Sequence, residues 1–285
     1  MNRILAIASA AATALIVLSG CGGTPPGAPD AAAEDCKPRH EGLKTLEEGV
    51  LTVAQYEYTP FSMSEGPGTL TGLEGDILTK FAEQECLTLK INKGDSAAMI
   101  TSVATGRADT TLGSWYRTKE RAEKVRLSAP VVTSPFSSVT KEGIDNVDEL
   151  EKLTIGVGQG LVGVDDLKEI FGGELKIYQN DDAVFEDIGA GRIDGTVQGY
   201  IAGTEYLKKH EIEGYKVTPL KPDDRLPATK APGQTNFPVS KDNEQLGKAI
   251  DEVVADLRES GELDKIAEKY GLDPQVMHPG EANLL

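Results

Sequence analysis

The chain is poor in the residues that build metal and redox centres. It has three cysteines and three histidines in 285 residues. His40, His210 and His278 stand apart from one another and from the cysteines, without the spacing of a ligand set. No metal and no other cofactor is expected. Basic residues are also in deficit: 29 Lys and Arg against 46 Asp and Glu leave a formal charge of −17. Such a surface argues against nucleic acid and anionic lipid headgroups as partners. Trp115 is the only tryptophan, and a lone aromatic is core more often than pocket wall. Beyond the N-terminus no long apolar run occurs, so no second hydrophobic span is expected.

What is present begins with an address. Arg3 precedes residues 4–17, which are apolar apart from Ser9 and Thr13 and too short to span a bilayer comfortably. Leu18-Ser19-Gly20-Cys21 follows and resembles a bacterial lipobox, in which the cysteine receives a lipid and becomes the first mature residue. Residues 1–20 therefore read as a lipoprotein signal peptide, and the protein as extracytoplasmic and anchored through Cys21 to the cell membrane. A plain secretory signal is the alternative. Residues 21–44 read as a flexible tether, because 22–34 are Gly, Thr, Pro, Ala, Asp and Glu with almost nothing to bury. Once the lipobox has taken one cysteine, Cys36 and Cys86 remain as an even pair in an oxidising compartment, where a disulfide is expected; two unpaired thiols are the other reading.

The remaining ~240 residues repeat themselves. Asp95 or Ser96 can cap a helix through Met99, Ile100 and Val103, which stops at Gly106; Gly106-Arg107-Ala108-Asp109 then leads into a strand at 110–112. Asp181 or Asp182 can cap a second helix through Val184 and Ile188, and Gly191-Arg192-Ile193-Asp194 leads into a strand at 195–198. Two such units argue for two similar α/β lobes. Strands are also expected at 50–54, 87–91, 153–157 and 175–178, and an amphipathic helix at 243–259. The glycine-rich stretch from Gly156 to Gly160 reads as a tight strand-to-helix turn opening toward a ligand.

At this point the residues resemble a family. Leu51-Thr52-Val53-Ala54 leading to Pro60-Phe61, then Gly72-Leu73-Glu74-Gly75-Asp76, the first Gly-Arg-x-Asp, Thr118-Lys119-Glu120-Arg121, Leu127-Ser128-Ala129-Pro130 and the second Gly-Arg-x-Asp occur in order. Together they are similar to the extracellular solute-binding proteins of polar amino-acid ABC importers, the bacterial family 3 binding proteins, over about 49–271. The resemblance implies a type II periplasmic binding protein-like α/β fold of two three-layer lobes joined by a two-strand hinge. Lobe 1 would comprise 45–133 and 238–275, lobe 2 would comprise 139–233, and the hinges would lie at 134–138 and 234–237. It also implies a monomer that closes on a small polar ligand and delivers it to permease subunits.

By that resemblance Arg121 takes the ligand's carboxylate through two parallel hydrogen bonds, a geometry Lys does not reproduce. Phe61 and Trp115 or Tyr116 would wall the ligand's stem, and Gly160 and Leu161 begin a turn whose peptide N–H groups help hold the carboxylate. Two positions depart from the pattern. Tyr116 stands where the family commonly has Ser or Thr, and Gly199 stands where it has the acid that takes the ligand's ammonium. Either another carboxylate substitutes or the ligand is not an ordinary α-amino acid. Tyr56 and Glu57 are the candidates, with Gln198 as a neutral contact. An alternative on the same scaffold is a secreted dehydratase acting on prephenate or arogenate, for which Glu57 is the candidate acid.

Overall fold

The computed structural model describes residues 36–285. The expected signal, Cys21 and the tether as far as residue 35 lie outside the described residues.

Val50–Gln55 is buried at every position after the first, so its run of Leu51, Thr52, Val53 and Ala54 shows no polar alternation. It is flanked in parallel by Thr88–Lys93 and Thr110–Leu112, and Pro238–Val239 and Arg126–Leu127 complete a five-stranded sheet. The strand Pro238–Val239 arrives from far along the chain and runs antiparallel to both neighbours. Helix Leu73–Gln84 covers the sheet with Leu73, Ile77, Leu78 and Phe81, all buried, each contributing roughly 1.5–3 kcal/mol of transfer free energy. Helix Glu244–Glu259 packs Leu246, Ile250, Val253, Val254 and Leu257 inward, and the Asn243 side chain caps it by accepting the N–H of Leu246 at 3.2 Å.

The second lobe is built around Phe136–Thr140, the middle strand of an antiparallel set with Gly195–Gly199 and Lys216–Pro219. Beside it, Gly156–Gly158 and Lys176–Tyr178 pair in parallel. Thr133–Ser134 and Gly233–Gln234 form a separate antiparallel pair. This is a two-lobed α/β fold of the type II periplasmic binding class.

The internal repeat is structural. Gly106 and Gly191 end their helices at φ 67° in both cases, a left-handed conformation that favours glycine. The next N–H turns back to the helix, Arg107 to the Ser102 carbonyl at 2.8 Å and Arg192 to that of Asp187 at 2.9 Å. Each aspartate then clamps the neighbouring strand in both directions. The N–H of Asp109 donates to the Thr52 carbonyl and that of Asp194 to Thr154, both at 2.8 Å, while the two carboxylates accept the N–H of Thr52 and Thr154, again at 2.8 Å.

Cys36 and Cys86 are disulfide-bonded, with Cα atoms 5.8 Å apart. The segment before the first strand is thus fastened, contrary to a tether reaching residue 44. His40 lies between Glu85, at 2.7 Å, and Glu252, at 3.0 Å, and Arg39 pairs with Asp256. The far end is fastened as well. The Gln234 side chain donates to the carbonyls of Pro279 and Glu281 and accepts the N–H of Asn283.

Candidate ligand-binding site

Between the lobes lies a cavity of about 50 Å³, partly open to solvent. From the first lobe it receives Tyr56, Tyr58, Ser96, the 113–116 segment and Arg121; from the second, 158–162, Asp181 and Gly199.

Arg121 sits on the short helix Lys119–Lys124, whose N-cap Thr118 accepts the Arg121 N–H at 3.1 Å. That cap directs the side chain back over the Trp115 ring, at 5.2 Å. Its guanidinium donates to the carbonyls of Tyr116 at 2.8 Å and, across the cleft, Gly160 at 3.3 Å. It has no carboxylate partner among the described residues. Burial lowers its pKa to about 10, against the opposing influence of Glu120, so it remains a cation at neutral pH.

The anionic end of the cavity is Asp181. It is 8% exposed and accepts the Tyr56 hydroxyl at 2.7 Å. Burial raises its pKa to about 6; the Tyr56 hydrogen bond opposes the shift and Asp182 adds to it. Helix capping was the expected role for Asp181 or Asp182, but Asn180 caps Asp181–Gly189 by accepting the Ala183 N–H at 3.0 Å. Three capping residues in succession were the available signal, because a helix start uses one and leaves the others for different work. Gly158 makes room for this carboxylate: a Cβ there would lie 3.0 Å from Asp181 Oδ1. At Gly160, with φ +79°, a Cβ would meet Ser96 Oγ at 2.9 Å, and that hydroxyl donates to the Gln159 carbonyl at 2.5 Å. Gly158, Gly160 and Gly163 have G-x-G-x-x-G spacing, yet the close approaches at the first two are to the protein's own side chains.

Aromatic rings line the space between the charges. Trp115 lies 6.2 Å from Tyr56, Tyr56 5.8 Å from Tyr58, and Tyr58 5.7 Å from Tyr206 of the second lobe. Tyr58 was missed although Tyr56 was named; in extended chain, residues two apart share a side. The same alternation turns Glu57 outward, where it is 56% exposed and paired with Lys93 at 3.2 Å. Glu57 therefore does not face the cavity. Phe61 is buried behind Tyr58 at 6.0 Å, and Gln198 is buried with its Oε1 3.5 Å from the Tyr58 hydroxyl; neither lines the cavity. Tyr56, Trp115, Tyr116, Gly160 and Leu161 do.

The two departures noted in the sequence are one feature. The Tyr116 hydroxyl donates to the Ser134 carbonyl at 3.2 Å, and a Cβ at Gly199 would lie 2.4 Å from that hydroxyl. A Cβ at Gly233 would be 2.2 Å from the Tyr116 ring. Tyrosine at 116 thus excludes any side chain at 199. Beneath the site, Glu74 is fully buried and its Oε2 accepts the N–H groups of Gly113 at 3.0 Å and Ser114 at 2.9 Å, holding the loop that carries Trp115 and Tyr116.

A two-lobed fold with a charged, aromatic cleft defines the class of interlobe ligand-binding proteins. Residues 51–273 match the model of the bacterial extracellular solute-binding proteins, family 3, and the chain belongs to that family. It is 26% identical over 241 residues to the L-cystine-binding protein TcyJ of Escherichia coli (strain K12), covering 81% of this chain and 86% of the relative. It is 25% identical over 226 residues to the histidine-binding periplasmic protein of the same organism, covering 75% and 84%. Among solved structures, the substrate-binding protein of an amino acid ABC transporter superposes with a TM-score of 0.69 at 26% identity, over 78% of this chain and 99% of that one. These relatives are binding proteins, and nothing in them supports the dehydratase alternative.

Proposed function

We propose that this protein is the lipid-anchored extracytoplasmic receptor of an ABC importer. It captures a small zwitterion, an amino acid or amino-acid derivative, between its lobes and hands it to permease subunits. The observation that carries this reading is an unpaired guanidinium and a buried carboxylate lining one cavity, separated by aromatic rings. Arg121 takes the ligand's carboxylate with two parallel bonds, aided by peptide N–H groups of the turn at Gly160 and Leu161. Asp181 takes the cation, in place of the acid absent at Gly199. Lobe 1 is formed by 45–133 and 238–275 and lobe 2 by 139–233, closing as rigid bodies about hinges at 134–138 and 234–237, of which Ser134 and Gln234 lie in the paired strands Thr133–Ser134 and Gly233–Gln234. Anchorage through Cys21 holds the receptor, as a monomer, near its permease.

Calorimetric titration of the detergent-solubilised full chain against amino acids and related zwitterions tests the assignment. Arg121→Ala is expected to lose at least 100-fold in affinity for the best ligand, because a buried carboxylate is left without a partner. Unchanged affinity would reject the site. Intact-mass analysis of the mature protein before and after Cys21→Ser checks the lipid.

A further inference from the structure

Resting on the reading of the cleft as a zwitterion site, we propose that the pocket selects a ligand whose cationic nitrogen is N-alkylated, up to quaternary, over one with a free primary ammonium. A primary ammonium brings three N–H donors, and each needs an acceptor once water is excluded. Four of the peptide oxygens around this cavity are already engaged. The Tyr116 and Gly160 carbonyls accept Arg121, at 2.8 and 3.3 Å. The Gln159 carbonyl accepts Ser96 at 2.5 Å, and the Trp115 carbonyl accepts the Asn236 side chain at 2.7 Å.

The side chains point the same way. Position 116 carries a phenol whose hydroxyl is turned onto the Ser134 carbonyl, and position 199 has no side chain. Asp181 supplies the counter-charge with one oxygen already receiving the Tyr56 hydroxyl. Around it the lining offers aromatic surface, from Trp115 through Tyr56 to Tyr58. Alkyl groups on the nitrogen remove the unmet donors and spread the charge over carbon, which aromatic faces accept well. One carboxylate can then balance the charge without satisfying three directed bonds.

The test is a methylation series on one scaffold, titrated calorimetrically into the detergent-solubilised full chain: glycine, N-methylglycine, N,N-dimethylglycine and N,N,N-trimethylglycine, with proline and N,N-dimethylproline as a second scaffold. Kd is expected to fall about tenfold or more from the unmethylated to the fully methylated member. Trp115→Leu should flatten the series, and Tyr56→Phe, which keeps the ring but frees an Asp181 oxygen to accept from a primary ammonium, should lessen its slope. Primary amines binding as tightly as their methylated counterparts overturn the proposal. So does tight binding of some other primary amino acid while neither scaffold binds, an outcome that leaves the zwitterion reading standing. If Arg121→Ala leaves binding of every member unaltered, the zwitterion reading itself fails.

Discussion

The two duplicated helices end alike and begin differently. Ser96–Ala104 and Asp181–Gly189 both close on a left-handed glycine and an aspartate that clamps the next strand. At their first turns they diverge. Ser96 opens one helix and donates its hydroxyl across the cleft to the Gln159 carbonyl; Asp181 opens the other and accepts the Tyr56 hydroxyl from the opposite lobe. Equivalent positions of a repeat thus both bridge the lobes, but one is a neutral latch and the other a buried charge. The repeat preserved the scaffold, and the specialisation sits at the helix starts that meet in the cavity.

The strongest way to sharpen that contrast is to remove the charge and keep the shape. Asp181→Asn is expected to cost about 100-fold in affinity for a zwitterion, roughly 3 kcal/mol, since the ligand's cation loses its only buried counter-charge in the lining. The same substitution should not weaken the ligand-free fold, because burying an ionised carboxylate is unfavourable. Calorimetry and thermal melting read the two effects separately.

The charge can also be titrated. Because the Asp181 pKa is raised to about 6, affinity should hold steady at pH 7–9 and decline as pH falls below about 6, approaching tenfold per unit. Above about 10 the loss of the Arg121 proton should weaken binding again. The folded state holds the Asp181 proton more tightly than the unfolded chain does. From this group the ligand-free protein therefore gains stability as pH falls from about 6 toward the unfolded value of 3.8. In Asp181→Asn both the low-pH loss of affinity and this gain of stability should disappear.

A third prediction concerns the crowding at Tyr116. Gly199→Asp alone should destabilise by about 1–3 kcal/mol through overpacking against the phenol. Adding Tyr116→Ser should recover at least ~1 kcal/mol of that loss, a coupling visible in a double-mutant cycle of melting data. The double variant should also gain affinity for ordinary α-amino acids. The smallest effect is expected at the latch: Ser96→Ala removes one cross-cleft hydrogen bond, about 1 kcal/mol, or a few-fold in Kd.

The scaffold was legible because its signals are local and repeated: apolar runs for the strands, capped amphipathic helices, and a Gly-Arg-x-Asp whose glycine and aspartate have fixed backbone tasks. Strand Pro238–Val239, inserted into the first sheet from the far end of the chain, followed from the family resemblance and not from periodicity. Of the residues lining the cavity, Arg121, Tyr56, Trp115, Tyr116 and Gly160 stand out through motif and proximity. Asp181 was hidden because Asp near a helix start ordinarily reads as a cap, and Asn180 had already filled that role. Glu57 misled for the converse reason, since an acid next to a pocket residue in extended chain faces away from the pocket. That Tyr116 and Gly199 compensate each other depends on a contact between residues 83 positions apart, which no local pattern encodes.

The most direct measurement is a crystal structure of the protein with its tightest zwitterionic ligand. The account predicts the ligand's carboxylate on the Arg121 guanidinium, its cation within contact of Asp181, and its stem against Trp115 and Tyr56. A ligand bound outside this cavity, or one whose cation leaves Asp181 untouched, would contradict it.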